Sequence, residues 1–285
     1  MGTDAVKLLV TGANGQLGQE LVHMGNARIQ IAGFGRDQLD ITDLNRCREV
    51  LAEVKPHGII HTAAYTAVDK AESEPDEAYR VNAIGTRNLA VAAEEIGAKL
   101  VFVSTDYVFD GTGTTPYEES TETNPQSVYG KTKRAGEEFV LDLSSRYFIV
   151  RTSWVYGQYG SNFVRTMLKL ATERDTITVV ADQIGSPTYA RDLAAFLIQL
   201  VHTEKYGIYH ATNSGSCSWY TFAREIFSEK GMNVRVEPCT TAEFRRPAPR
   251  PAYSVLDRAA IPRNGLSDLR PWREALREFL GVKEP

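Results

Sequence analysis

Four residues carry the pattern best suited to chemistry: a phenol and an amine four positions apart, Tyr129 and Lys133, and a hydroxyl pair upstream, Ser104 and Thr105. On a helix, positions i and i+4 share a face, which brings the Lys133 ammonium near the Tyr129 phenol. A phenol ionises near pH ~10 and is a sluggish proton donor at neutrality. A neighbouring cation favours the phenolate and so is expected to lower that value. A Tyr-x-x-x-Lys pair alone recurs in many helices. It gains weight from the hydroxyls, which lie 25 and 24 residues before Tyr129 at the end of an apolar run. It gains more from Gly12, Gly15 and Gly18, a Gly-x-x-Gly-x-x-Gly motif that also includes Asn14, Gln16 and Leu17. Between a strand and a helix, such glycines allow a tight turn and let a pyrophosphate reach backbone N–H groups at the helix N-terminus. A plain structural turn would use the same glycines.

The elements that must position these groups can be read from periodicity. Val6 to Val10 is a short apolar strand that runs into the glycine turn, and a helical pattern follows through Glu20, Leu21 and Val22. Further strands are predicted at Ile29 to Phe34, Gly58 to His61 and Lys99 to Val103. Helices are predicted from Thr42 to Val54, with Thr42 as N-cap, and from Pro75 to Ile96, the latter unbroken despite Gly85. Strands that are apolar almost throughout, alternating with helices, imply an α/β fold with a doubly wound parallel Rossmann-type sheet covered on both faces. After about residue 150 the alternation becomes irregular, with a helix near Phe163 to Ala171 and a strand near Thr176 to Val180. Arg245 to Pro251 holds three prolines in seven residues, so it must be an extended linker or binding loop.

Composition narrows the partners. With 285 residues, 42% of them hydrophobic, the chain can bury a core without disulfides or structural metal. A net charge of −4 argues against a general nucleic-acid or acidic-membrane binder and leaves a small molecule as the partner. Cys47, Cys217 and Cys239 are odd in number and widely spaced, which suits a reducing cytoplasm. The N-terminus does not read as a secretion signal, and no stretch approaches the ~20 apolar residues of a membrane span. His57 and His61 have the spacing of a zinc-binding helix, but the residues between them read as strand, which sends the two too far apart to share a metal.

Cofactor choice turns on the end of the second strand, where an acidic residue would bind ribose hydroxyls and a basic one a 2′-phosphate. Arg36 lies 18 residues beyond Gly18 and favours NADPH, while its neighbour Asp37 leaves NADH open as well. A solvated loop charge is the alternative for Arg36.

Together these residues resemble the extended short-chain dehydrogenase/reductases, and within them the dTDP-4-dehydrorhamnose reductase family. The likeness runs through nearly the whole chain. It is carried by Thr11 to Gly18, Ala63 to Glu72, Ser104 to Phe109, Val128 to Lys133, Arg151 to Tyr156, Asn162 with Phe163, Thr166 to Leu168, Asp182 with Gln183, and Gly185 to Thr188. The Ser-Thr-Asp-Tyr-Val-Phe run is far more specific than the glycine motif. What the resemblance implies is reduction of the 4-keto group of dTDP-6-deoxy-L-lyxo-4-hexulose to dTDP-L-rhamnose. Tyr129 would protonate the carbonyl oxygen, Thr105 would hydrogen-bond it, and Lys133 would hold the nicotinamide ribose while lowering the phenol pKa. Asp40, Ile41, Ala63, Ala64, Tyr65 and Asn82 would join the glycine turn, Arg36 and Ser104 around the cofactor. Asp106, Trp154 and Asn162 would face the dTDP-sugar, although Trp154 could be a core aromatic and Asn162 a helix cap. The chain would divide into a dinucleotide-binding domain, residues 1–150, and a smaller substrate-binding lobe, residues 151–285, with some segments returning to the first.

Two relatives offer other functions: a catalytically silent regulatory subunit of a methionine adenosyltransferase, and a sugar-nucleotide epimerase or dehydratase that retains NAD. Some of the family dimerise through Mg²⁺ held by carboxylates. Here Glu20 remains, but the other acidic positions fall on Arg191 and Ala195, with Asp192 one place off. A guanidinium would repel a divalent cation, so no metal is expected, and the chain should be a monomer or weak homodimer.

Overall fold

The computed structural model describes residues 5–281. The chain begins β1 (Val6–Thr11), α1 (Gln16–His23), β2 (Ile29–Phe34), α2 (Leu44–Val54), β3 (Gly58–His61), α3 (Val68–Ala71) and α4 (Pro75–Tyr79). After a π-helical turn at Arg80–Gly85 come α5 (Thr86–Glu95), β4 (Lys99–Thr105), α6 (Val128–Leu143), β5 (Tyr147–Thr152), β6 (Val155–Tyr156) and α7 (Phe163–Ala171). The rest is β7 (Thr176–Val180), β8 (Ile184–Gly185), β9 (Thr188–Tyr189), α8 (Ala190–Val201), β10 (Gly207–His210), β11 (Cys217–Ser218), α9 (Trp219–Glu229), β12 (Arg235–Cys239), α10 (Ala260–Arg263) and α11 (Trp272–Leu280). None of the described helices is long and apolar enough to cross a membrane.

Six strands form one parallel sheet in the order β2-β1-β3-β4-β5-β10. Side chains alternate across it. Leu8 and Val10 point with Ile60 and Val101 to the face covered by Leu193, Leu197 and Leu200 of α8, while Leu9 and Ile59 point to Val50 and Leu51 of α2 and Leu89 of α5. Burial on both faces explains the uninterrupted apolar strands. The order of strands reverses between β1 and β3, and in such sheets the crevice beyond the strand C-termini at that point receives ligands. Both β10 and α8 come from beyond residue 150 yet pack with this sheet. A further cluster joins Tyr156, Val164, Phe222, Ile226, Trp272 and Leu276 around α7, α9 and α11.

Three local expectations need correction. The N-cap of α2 is Asp43 rather than Thr42: its carboxylate accepts from the N–H groups of Asn45 (2.9 Å) and Arg46 (3.2 Å). A carboxylate both caps the helix and meets the positive end of its dipole, which leaves the Thr42 hydroxyl free to donate to Asp40. The helix expected from Pro75 to Ile96 carries the π-helical turn at Arg80–Gly85 and ends at Glu95. Strand β4 extends past Val103 to Thr105 because Ser104 and Thr105 still pair with Arg151 and Thr152 of β5.

The proline-rich segment is extended, as expected, and it is strapped down. Asp69 of α3 accepts from Arg246 Nε (2.9 Å), pairs with Arg250 (3.1 Å) and accepts from the Ala248 N–H (3.3 Å). These three contacts on one carboxylate fix a segment that proline bars from regular hydrogen bonding.

Helix α6 passes so close to the π turn that a Cβ built on Gly136 would sit 2.6 Å from the Asn82 carbonyl oxygen and 3.0 Å from the Phe102 ring. Gly136→Ala is therefore expected to destabilise the fold by ~1–3 kcal/mol, the usual cost of overpacking. Urea unfolding followed by circular dichroism checks this, and an unchanged midpoint would show that the helix can shift away freely.

Candidate active site

A cavity of about 780 Å³ opens along the C-terminal ends of β1, β3, β4 and β5. Its floor at one end is the glycine turn. Gly12 has φ +68°, and a Cβ there would lie 2.7 Å from the Ala63 backbone; one on Gly18 would lie 2.3 Å from the Gly12 carbonyl oxygen. Both positions require glycine on steric grounds. No side chain caps the N-terminus of α1, so its first N–H groups remain free for an anion. A dinucleotide's pyrophosphate fits this cradle. Asn14, Gly15, Gln16 and Leu17 line the same end, with Arg36, Asp40 and Ile41 beyond them.

Ala63, Ala64 and Tyr65 form the adjoining wall and are held from behind. Asn82 in the π turn lies 1% exposed; its Oδ1 accepts from the Tyr65 N–H (2.7 Å), and its amide donates to the Tyr65 carbonyl (3.2 Å) and to Thr132 Oγ1 (3.0 Å). Asn82 thus positions the wall without lining the cavity. His61 does similar work. The Thr86 hydroxyl donates to the Asn82 carbonyl (2.7 Å), so it accepts from His61 Nε2 (3.1 Å), leaving Nδ1 to accept from Thr11 (2.8 Å). Burial pushes the His61 pKa down to about 3, so the ring is neutral. His57 accepts instead from the Lys7 N–H (3.0 Å), and the two histidines serve separate roles.

Tyr129 and Lys133 enter from α6, which is capped by Ser127 Oγ accepting from the Gly130 N–H (3.0 Å). A Cβ on Gly130 would lie 2.2 Å from the Tyr107 carbonyl oxygen, so glycine there lets the first turn of α6 abut the end of β4. That contact brings Tyr129 beside Thr105. Thr105 Oγ1 donates to Asp106 Oδ1 (3.0 Å) and accepts from the Tyr107 N–H (3.2 Å). Asp106 is 2% exposed, its Oδ2 has no partner, and burial raises its pKa to about 6. Ser104 lines the cavity and donates to Glu137 Oε1 (2.6 Å).

The Tyr129 phenol shifts in the direction opposite to the one expected from Lys133. Burial raises Tyr129 to about 12, with the Thr105 hydroxyl only partly opposing it. Lys133 is itself buried, its Nζ donating to the Val103 carbonyl (2.7 Å) and lying 4.1 Å above the Phe102 ring. Burial lowers its own pKa to about 7 against the pull of Glu137. Desolvation is thus the largest influence on each of the two groups.

At the far end, Trp154 lines the cavity with φ +49° and stacks on Trp219, ring centroids 3.5 Å apart. It both lines the cavity and packs against the cluster around α7, α9 and α11. Asn162 lies outside the lining residues: its Oδ1 caps α7 through the Arg165 N–H (3.0 Å) and its amide donates to Gln16 Oε1 (2.9 Å). Arg36 reaches the rim with its side chain 75% exposed, 3.8 Å from Glu77. Sequence reasoning missed Arg80, which also lines this end and donates to Thr42 Oγ1 (2.7 Å), because its direction depends on the π turn. It missed Trp219 for want of any local motif. Asp192 is taken by Arg270 (2.9 and 2.8 Å) and Asn213 (2.7 Å), and Arg191 pairs with Glu278 (3.2 Å). Among the described residues no cluster of three or more His, Cys, Asp or Glu side chains could share a metal.

The Lys133 pKa has a consequence for stability. Folded protein releases this proton near pH 7, whereas an unfolded chain holds it to about pH 10.4, so the folded state gains relative stability as pH rises between those values. Lys133→Met removes the group, and the stability difference, wild type minus variant, is expected to grow by on the order of a few kcal/mol from pH 7 to 10. Urea unfolding of both proteins across that range measures it, and a flat difference would mean that Lys133 is not desolvated.

The family model described as "RmlD substrate binding domain" matches residues 6–284. The chain is 48% identical to a dTDP-4-dehydrorhamnose reductase of Streptomyces griseus, over 95% of this chain and 91% of that one. It is 47% identical to the spore coat polysaccharide biosynthesis protein SpsK of Bacillus subtilis, over 96% of each. A crystal structure of dTDP-4-dehydrorhamnose reductase from Bacillus anthracis in complex with NADP is 50% identical and superposes with a TM-score of 0.95, covering 97% of this chain and 99% of that one.

Proposed function

The chain belongs to the family of the RmlD substrate-binding domain, that of the dTDP-4-dehydrorhamnose reductases, and from that premise we propose that it reduces dTDP-6-deoxy-L-lyxo-4-hexulose to dTDP-L-rhamnose with NADPH. The observation that carries the reading is a single cavity with an anion cradle of glycines at one end and the Thr105, Tyr129 and Lys133 set facing into its middle. NADPH, when bound, supplies the hydride that adds to the C4 carbonyl carbon. The protein's residues do the rest. The turn from Gly12 to Gly18 takes the pyrophosphate at the N-terminus of α1, Lys133 holds the nicotinamide ribose, and Arg36, with Arg80 beside it, meets the 2′-phosphate. Ser104 and Asn82 support this site from behind.

Tyr129 donates its proton to the oxygen that was the ketone while Thr105 holds that oxygen by a hydrogen bond. A phenol with its pKa raised to about 12 keeps its proton at neutrality. Transfer is still downhill, because the alkoxide formed from a ketone is a stronger base than a phenolate. Asp106 and Trp154 face the sugar, and Asn162 acts through its cap on α7. We assign cofactor binding mainly to residues 1–150 with α8 and β10, and sugar-nucleotide binding mainly to the rest. A cytoplasmic monomer or weak homodimer serving polysaccharide synthesis fits the free cysteines and the likeness to SpsK.

The direct test is NADPH consumption by the purified protein on addition of the keto-sugar nucleotide, with dTDP-rhamnose as product. A silent regulatory subunit consumes none, and an epimerase or dehydratase gives no net oxidation. Tyr129→Phe is expected to lose about 10²–10⁴-fold in kcat with NADPH affinity kept, since it removes the acid and keeps the ring. A variant retaining a tenth of the wild-type rate would exclude Tyr129 as the donor.

Arg36→Ala should weaken NADPH more than NADH. The exposed guanidinium limits the difference to about 1.5 kcal/mol, roughly tenfold in Kd. Fluorescence titration with both cofactors reads it, and equal losses would identify Arg36 as a bystander.

A further inference from the structure

Directly behind the reacting groups lies a buried ion pair that the proposed chemistry does not use. Glu137 is 0% exposed and Arg151 2%. The two are joined by a fork, with Arg151 Nε 2.9 Å from Glu137 Oε1 and Arg151 Nη2 2.8 Å from Oε2. Ser104 donates to the same carboxylate at 2.6 Å, and Arg134 reaches it at 3.5 Å. His210 lies 3.4 Å behind Arg151 and is kept neutral by burial. Such a pair is a weak source of stability, because desolvation consumes most of the attraction and apolar residues of the same volume often do as well. Its place in the site is therefore informative. Glu137 stands one helical turn after Lys133 on α6, and Ser104, which it holds, adjoins Val103, whose carbonyl binds the Lys133 ammonium.

We propose that Glu137 is a positioning residue for the reductase site: shared between Arg151 and Lys133, it is the counter-charge that keeps Lys133 an ammonium in dry surroundings, and Arg151 sets how much of that charge Lys133 receives. The inference rests on the reading of Lys133 as a cofactor-holding cation. Among the described residues, Glu137 is the anion so placed. Its own helix presents Tyr129, Arg134 and Glu137; β3 presents neutral His61 behind the Phe102 ring; Asp106 lies past the end of β4, where its carboxylate accepts from the Thr105 hydroxyl. Strand β5 presents Arg151. Glu137 is the charge that opposes the desolvation of Lys133. An ammonium donates three hydrogen bonds, one of which goes to Val103, leaving two for a ribose diol.

An electrostatic role and a merely structural one differ in sign. Glu137→Gln removes the anion and leaves the Arg151 cation, so Lys133 should lose its proton at lower pH. Arg151→Met frees Glu137 to turn its whole charge on Lys133, which should then keep its proton to higher pH. If Glu137→Gln folds poorly because a buried cation is left alone, the double variant Glu137→Met with Arg151→Met removes both charges and should also shift downward. The measurement is the titration of the Lys133 Cε resonance in protein labelled with ¹³C-lysine, assigned by its loss in Lys133→Ala, together with NADPH affinity across pH 5.5–9 by fluorescence.

The expected result is a pair of shifts of opposite sign, each about one pH unit, with the fall in NADPH affinity at high pH moving in step. Unmoved midpoints, or shifts of one sign in both single variants, would overturn the proposal while leaving the role of Lys133 intact. If Lys133→Ala leaves NADPH affinity and its pH dependence unchanged, the reading of Lys133 fails and the inference goes with it.

Discussion

A protonatable amine held in dry protein at the end of a parallel sheet is the constraint to which the site conforms. Lys133 needs hydrogen-bond acceptors and a negative partner, because an isolated ammonium in a low-dielectric interior costs far more than any single contact returns. The carbonyl of Val103 supplies the acceptor, the face of Phe102 supplies the quadrupole, and Glu137 supplies the charge. Each of these fixes an element. Val103 and Phe102 hold β4, Glu137 holds α6, and Arg151, through Glu137, ties in β5. Strand β4 and helix α6 are therefore locked by the same groups that surround the amine.

Locking requires backbones to approach more closely than side chains usually allow. Gly130 and Gly136 let α6 rest on Tyr107 and on the π turn, and Gly12 lets β1 meet the loop after β3. The π turn then matters chemically, because it carries Asn82, which binds both main-chain groups of Tyr65 and the Thr132 hydroxyl on α6. One amide thereby sets the distance between the cofactor wall and the helix that bears Tyr129. Rigid main-chain contacts of this kind position catalytic groups better than loops held by solvent-exposed side chains.

What was legible in the sequence followed from local rules. Strand and helix alternation, the glycine turn and the face shared by Tyr129 and Lys133 depend on periodicities of two and 3.6 and on the freedom of glycine at Gly12. The rest depended on neighbours distant in sequence. Nothing in Arg80 to Gly85 distinguishes a π turn from ordinary helix until the Gly136 approach and the Tyr65 contacts are known. Thr42 and Asp43 are both good caps, and the choice between them is settled by Asp40, which takes the Thr42 hydroxyl. Asn162 has the residue type of a ligand, and its bonds to Arg165 and Gln16, made with partners local and distant in sequence, show that it also caps α7 and ties it to the glycine turn.

The misjudged pKa of Tyr129 has the deepest lesson, because spacing gives the sign of an interaction and says nothing of its dielectric. Two groups one turn apart on an exposed helix would shift each other in the expected sense, whereas here burial acts on both and dominates. In the role proposed for Tyr129, a phenol held neutral by burial would keep its proton for the strong base that hydride addition creates. The same dryness that keeps the proton on Tyr129 threatens to strip it from Lys133, so a site that buries both needs an anion that favours the amine and stays away from the phenol. Glu137, eight residues beyond Tyr129 and four beyond Lys133 on one helix, lies two turns from the first and one turn from the second.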